Sequence, residues 1–305
     1  MDINLNEQEI EYNKFGPWLM VIEDASQVPA QFLDVLDTIE NADFSFKVPV
    51  KEERRNMAAG MLLYWQVVAV SKDSVSIFTI ENELLSRKVF LFEDICYLEH
   101  GGDLLGSFIC IASSREIVDV RYNLVSMEVA SQAIELIRLG LRQNKRSHPS
   151  LDSPMGTLNE KQIYRYFRDK EKGVSKPTIL GYQESRELAE PSPASLLNLY
   201  SSNKNSKLLD CMIMTDGTDL IIANRGKYIL GIKDTNYKFG HVFIPFSKMT
   251  GVNEFAHEKY LQLKVLEIEI GRQSYEIIVD NNFSTSAIRH LVKRRIKTTT
   301  HDFDI

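Results

Sequence analysis

The sequence predicts a mainly β protein with α-helices, arranged as two antiparallel β-barrels each closed by a C-terminal α-helix. Three observations predict it. Short runs rich in β-branched and aromatic residues follow one another with only turn residues between them, which implies antiparallel pairing without crossover helices. Each series of runs ends where apolar residues change from strand spacing to helical spacing. The whole succession occurs twice in the 305 residues.

The elements follow in order. "FGPWLMVIE" is a strand entered from a Gly-Pro turn, and "PAQFLDVLDTIENA" places Phe32, Val35, Leu36 and Ile39 on one helical face. "DFSFKVPV" is a strand, and these elements form a decorated entry into the first barrel. "MLLYWQVVAV" and "VSIFTI" are strands on either side of the turn "SKDS". The polar break "ENELLSR" leads to "KVFLFEDICYL", "EHGGD" leads to "LLGSFICIA", and "SSRE" leads to "IVDVRY". Ser126 then caps a helix carrying Val129, Ala133, Leu136, Ile137 and Leu141.

The middle of the chain differs in kind. "NKRSHPSLDSPMG" and "AEPSPAS" have the Ser- and Pro-rich composition of linkers. Between them Thr157 and Glu160 form a capping box, followed by a helix with Ile163 and Phe167 four residues apart. An amphipathic stripe of this kind is ordinarily core, so docking on a barrel is favoured over a free partner-binding helix.

The second series opens with "CMIMT", turns at Asp216-Gly217 and returns as "DLIIAN". "KYILGIK", "HVFIPFSKM", "YLQLKVLEIEI" and "YEIIVD" come next. Ser284 then caps a helix with Ala287, Ile288, Leu291, Val292 and Ile296. The two series match at single positions. "VFLFEDI" corresponds to "FIPFSKM", and Phe92 precedes Ile134 by 42 positions as Phe246 precedes Ile288 by 42. The expected domains are 1–145, a linker with a short helix over 146–207, and 208–305.

About seven strands closed by a terminal helix resemble a pleckstrin-homology-like (PH/GRAM-like) barrel, over roughly residues 40–145 and 205–297. The segments "ERRNMAAGMLLYWQVV" and "NKFGPWLMVI" are similar to parts of an uncharacterised bacterial protein family with tandem barrels of this kind. The resemblance implies a binding fold without a fixed chemistry. Barrels of this class take peptides beside the terminal helix or along a sheet edge. Those that bind inositol phosphates project basic residues from the first strand pair.

Bulk properties narrow the function further. A net charge of −6 and a pI near 5.6 argue against a nucleic-acid protein. The N-terminus has no secretory-signal pattern, and no apolar run is long enough to span a membrane. Cys96, Cys110 and Cys211 form an odd, sparse set without metal spacing, as expected of buried thiols in a cytoplasmic protein. The phosphate-cradling loops, the nucleophile elbow and the zinc-protease pair are absent, and the six histidines are scattered. No cofactor and no metal are expected.

Four words remain as candidate sites. "KEERR" offers Lys51, Arg54 and Arg55 to an anion, but Glu52 and Glu53 interrupt the charge, and a mixed run is more often a solvated edge. Lys293, Arg294 and Arg295 close the last helix, where cations complement the helix dipole. His100 and Asp103 in "EHGGDLL" are the most enzyme-like pair, although Gly101 and Gly102 suit a turn. Phe246 and Lys248 mark a sheet edge for a partner. The expected function is a non-catalytic adaptor that binds protein, with homo-oligomerisation left open. The alternatives are a peripheral binder of anionic lipid or a phosphate-bearing ligand, and an enzyme with a site near His100.

Overall fold

A computed structural model describes residues 5–103, 106–142, 178–188, 206–231 and 238–301. The fold is mainly β with α, and its sheets are antiparallel. No sheet among the described residues closes into a barrel. The chain divides into two compact units, Met1–Ile95 with Gly102–Asn144, and Cys96–Gly101 with Lys145–Ile305.

The first unit begins with α1 (Leu5–Lys14), β1 (Met20–Val21) and two 3-10 turns, Ala25–Gln27 and Ala30–Val35. Next come α2 (Leu36–Glu40), β2 (Phe44–Pro49), β3 (Tyr64–Val70), β4 (Ser74–Glu81) and β5 (Leu84–Leu91). Then come β7 (Ser107–Ser113), β8 (Ile117–Tyr122) and α3 (Met127–Arg142); β6 (Ile95–Gly102) precedes β7 in the chain, but its residues 96–101 belong to the second unit. Strands β1 to β5 make one sheet in sequence order, and β7 pairs with β8.

The entry segment forms a lid on one face of this sheet. Val28, Phe32 and Ile39 pack on Val67, Ala69 and Phe78 and exclude water from them. The predicted single helix here is a 3-10 turn followed by a short α-helix, because Val35 at the junction leaves helical geometry (φ −120°, ψ 15°). Helix α1, for which the sequence gives no apolar periodicity, seats Tyr12 beside the buried Phe15, Leu63 and Tyr64. It also supplies Glu11, 3.6 Å from the buried amine of Lys47. That amine donates to the Gln27 carbonyl at 2.8 Å and lies 4.2 Å from the centre of the Tyr64 ring. Burial pushes the Lys47 amine down and Glu11 partly restores it.

Helix α3 buries Ala133, Ile137 and Leu141 of its predicted stripe, together with Ala130 and Ile134. Its lead-in differs from expectation. Asn123 caps the 3-10 turn Leu124–Ser126, accepting from the Val125 N–H at 3.1 Å. Ser126 Oγ instead accepts from the Leu19 N–H at 2.7 Å. Gly140 lets the chain pass Phe92 closely, since a Cβ at Gly140 would sit 2.0 Å from the Phe92 ring.

The second unit contains β9 (Thr178–Gln183), β10 (Arg186–Glu187), β11 (Ser206–Leu208), β12 (Cys211–Thr215), β13 (Asp219–Asn224) and β14 (Ile229–Gly231). It continues with β15 (Phe239–Pro245), β16 (Met249–Ala256), β17 (Leu263–Ile270), β18 (Gln273–Asp280) and α4 (Ser286–His301). One sheet runs β9-β12-β13-β15, with residues 96–101 of β6 beside β15. Smaller sheets run β10-β11-β14 and β16-β17-β18. Strands β9 and β10 and the start of β11 therefore occupy part of the expected linker. The capping-box helix lies outside the described residues.

The Asp216-Gly217 hairpin is present. Gly217 has φ +91°, and Asp216 Oδ1 accepts from the Thr218 and Asp219 N–H groups at 2.9 Å each. Leu263, Leu266, Ile268 and Ile270 of β17 are buried, as are Ala287, Ile288 and Val292 of α4. Strand β16 is an addition to the strands that the sequence predicts.

Candidate functional site

Among the strands of six or more residues, β5 is the most exposed. The expected polar break "ENELLSR" instead turns β4 tightly into β5, and its residues Leu84 to Arg87 are the first half of that strand. Asn82 (φ 51°) and Glu83 (φ 66°) occupy the left-handed region that a two-residue hairpin requires. Such a turn makes its flanking residues, Glu81 and Leu84, a hydrogen-bonded pair. Bonded and non-bonded pairs then alternate along the register, which ends on Ser74 opposite Leu91. The next hydrogen bond, Phe92 N–H to the Asp73 carbonyl at 2.8 Å, falls where this alternation places it.

It follows that Leu85, Arg87, Val89 and Leu91 turn their N–H and C=O groups away from β4. Strand β5 is the last in its sheet, so among the described residues no strand meets them. Its side chains are correspondingly open. Only Phe90 is buried, while Leu84 (72%), Val89 (45%) and Leu91 (40%) are exposed. Arg87 lies over the Phe78 ring, 5.5 Å from its centre, and Lys88 pairs with Glu116 at 2.8 Å. An edge of this kind can take one further strand through main-chain hydrogen bonds.

The partner edge expected in the second unit is not free. Residues 96–101 of β6 lie beside β15. Phe246, in the 3-10 turn Phe246–Lys248 after β15, is buried and belongs to the core; Lys248 is half-buried. This corrects the placement of Phe246 on a partner-facing edge. Burial of its ring takes a large apolar surface out of water. In the sequence match of the two series Phe246 stands against Phe92, which sets β15 against β5.

The basic words have ordinary roles where they are described. Arg55 pairs with Glu53 at 2.5 Å, both well exposed. Arg54 donates to the Asn13 carbonyl at 3.2 Å and lies 5.4 Å from the centre of the Tyr12 ring, fastening α1. Lys51 is exposed on a bend and Lys293 is exposed on α4. The side chains of Arg294 and Arg295 lie outside the described residues. Lys51, Arg54 and Arg55 belong to the first unit and Lys293 to the second.

His100 is buried in β6, with its ring edge-on to Phe239 at 5.3 Å. Asp103 closes the following turn, accepting from the Gly106 N–H at 3.0 Å and donating its own N–H to the Gly106 carbonyl at 2.9 Å. Gly102 has φ +150°, and a Cβ there would meet that carbonyl at 2.5 Å. The glycine thus serves the turn. Among the described residues no three acidic, His or Cys side chains form a metal-binding group, and no helix is long and apolar enough to cross a membrane. The three cysteines are buried and free, and burial pushes the Cys211 thiol well up.

One carboxylate, Glu254, ties the lead-in and first turn of α4 to β16. Glu254 on β16 receives the Thr285 hydroxyl at 2.5 Å, Arg289 at 2.8 and 3.1 Å, and Lys264 at 2.7 Å. Lys264 also donates to the Phe283 carbonyl at 2.8 Å. Burial alone would raise the Glu254 carboxyl; hydrogen bonds from Lys264, Thr285 and Arg289 outweigh it and bring it down to about 2.

Compared with known protein families and with curated proteins, the chain matches no family model and no curated protein.

Proposed function

We propose that the protein is a non-catalytic binding module of two pleckstrin-homology-like units, and that it captures an extended protein segment along β5. The observation that carries this is the row of outward-facing backbone groups at Leu85, Arg87, Val89 and Leu91 on a terminal strand. The order of elements along the chain supports it. Each series runs through seven main strands to a terminal helix, β2 to β8 with α3, then β9, β12, β13 and β15 to β18 with α4. Folds of this order take peptides by strand addition.

The test uses the full chain with Val89→Pro. Proline at Val89 removes an outward N–H and leaves the β4–β5 ladder whole, a substitution edge strands accept. Crosslinked capture from the native host is compared between the unaltered chain and the variant, with circular dichroism to confirm folding. The expected result is a stoichiometric protein that the unaltered chain captures and the variant loses. Equal capture by both, or capture of nothing by either, defeats the proposal.

A further inference from the structure

Side chains along the same edge narrow the chemistry of the captured segment, an inference that rests on the strand-addition reading. An added antiparallel strand places its side chains directly opposite those of β5 on the same face. On the face shared by Arg87, Val89 and Leu91, the newcomer meets one cation and two exposed apolar side chains. Lys88 already has a carboxylate partner in Glu116. Arg87 has none among the described residues; its guanidinium is held over the Phe78 ring. A side chain fixed in this way loses little freedom when it pairs.

A second copy of β5 fits poorly. The two antiparallel registers nearest the centre that bring the outward-facing groups together place Arg87 opposite Arg87, or Lys88 opposite Lys88. Like charges directly opposite destabilise a strand pair. The charges that guard the edge against its own copy favour an acidic strand.

We infer that β5 takes an acidic, extended segment of another protein, with one carboxylate opposite Arg87 and apolar side chains opposite Val89 and Leu91. Read along the antiparallel partner, the pattern is apolar, any residue, apolar, any residue, acidic.

The probes are labelled peptides of alternating valine and threonine, with glutamate, glutamine or lysine at the position opposite Arg87. Binding to the full chain is followed by fluorescence anisotropy, and its place by amide shifts at residues 84–91. The glutamate peptide is expected to bind about threefold to tenfold tighter than the lysine peptide, with glutamine between. Arg87→Glu reverses the order and Arg87→Gln levels it. Shifts at β5 without a charge preference overturn the acidic partner and leave strand addition standing. No shift at β5 with any peptide overturns both. A preference that Arg87→Glu leaves unchanged places the charge recognition elsewhere and also overturns the inference. So does a concentration-dependent dimer that Val89→Pro abolishes.

Discussion

Glu254 ties three elements of the second unit together, and its removal has a calculable signature. The perturbation is Glu254→Gln, which keeps the shape and removes the charge. The carboxyl falls from its ordinary 4.5 to about 2 on folding. At about 1.4 kcal/mol per pKa unit this sets a ceiling of roughly 3.4 kcal/mol. The side chain is 24% exposed and that of Arg289 is 41% exposed, so solvent screening reduces the expected contribution to about 1–2 kcal/mol. A carboxylate whose pKa is depressed by folding stabilises above its unfolded value. That stability is lost as pH falls from 4.5 through about 2. At pH 7 the variant is therefore expected to be about 1–2 kcal/mol less stable, with the gap closing below pH 4.5.

The assay must see the second unit by itself. Both tryptophans, Trp18 and Trp65, lie in the first unit, so tryptophan fluorescence serves as the internal control. Amide hydrogen exchange along α4, measured at neutral pH and in steps down to acid, reads the Glu254 contribution. A gap that stays constant from pH 7 to pH 2 would refute the reasoning. A shift of the tryptophan-reported transition in place of α4 exchange would refute it equally.

Two further outcomes arise from close contacts. Gly140→Ala drives a methyl into the Phe92 ring and is expected to destabilise the first unit by about 1–3 kcal/mol, measured by the tryptophan transition in urea; adding Phe92→Leu recovers part of the loss. Arg55→Ala breaks a pair whose side chains are 78% and 64% exposed, and is expected to move the same transition by less than about 0.5 kcal/mol.

Much of the strand order is legible because buried strands are written in a period-two code or as solid apolar runs. Strand β3, the Asp216-Gly217 hairpin and the stripe of α3 follow directly from it. The elements that are not legible carry competing signals. The β4–β5 turn uses Asn82 and Glu83, with no glycine to announce positive φ. The first half of strand β5, Leu84 to Arg87, reads as part of a polar break, because an edge strand exposed on most of its length carries polar and charged residues where a core strand carries valines. Strand β16 alternates Val252 with Asn253 and Glu254, and its polar residues serve a network that only tertiary contact with Lys264 and Arg289 reveals. Helix α1 has one exposed isoleucine and no apolar stripe; Tyr12 and Glu11 hold it in place through partners distant in sequence. Phe246 reads as an edge residue because a position beside a strand end does not distinguish a ring turned inward from one turned outward.

The two series of strands give these observations their sharpest contrast. Strands β5 and β15 occupy the same place in their series, each leading into the turn that carries Phe92 or Phe246. Every residue of β15 is buried, whereas β5 buries only Phe90. Their sequences have diverged accordingly. "FGHVFIP" contains no lysine or arginine, and "LLSRKVFL" contains one of each, side by side at its centre. Charges at the centre of a strand cost nothing when its edge faces water, and they deter pairing with its own kind. They would be expensive in a strand covered on both edges. The composition of β5 is therefore that of a strand whose outer edge remains open, and the exposed Val89 and Leu91 beside those charges are what an open edge used for solubility alone would lack.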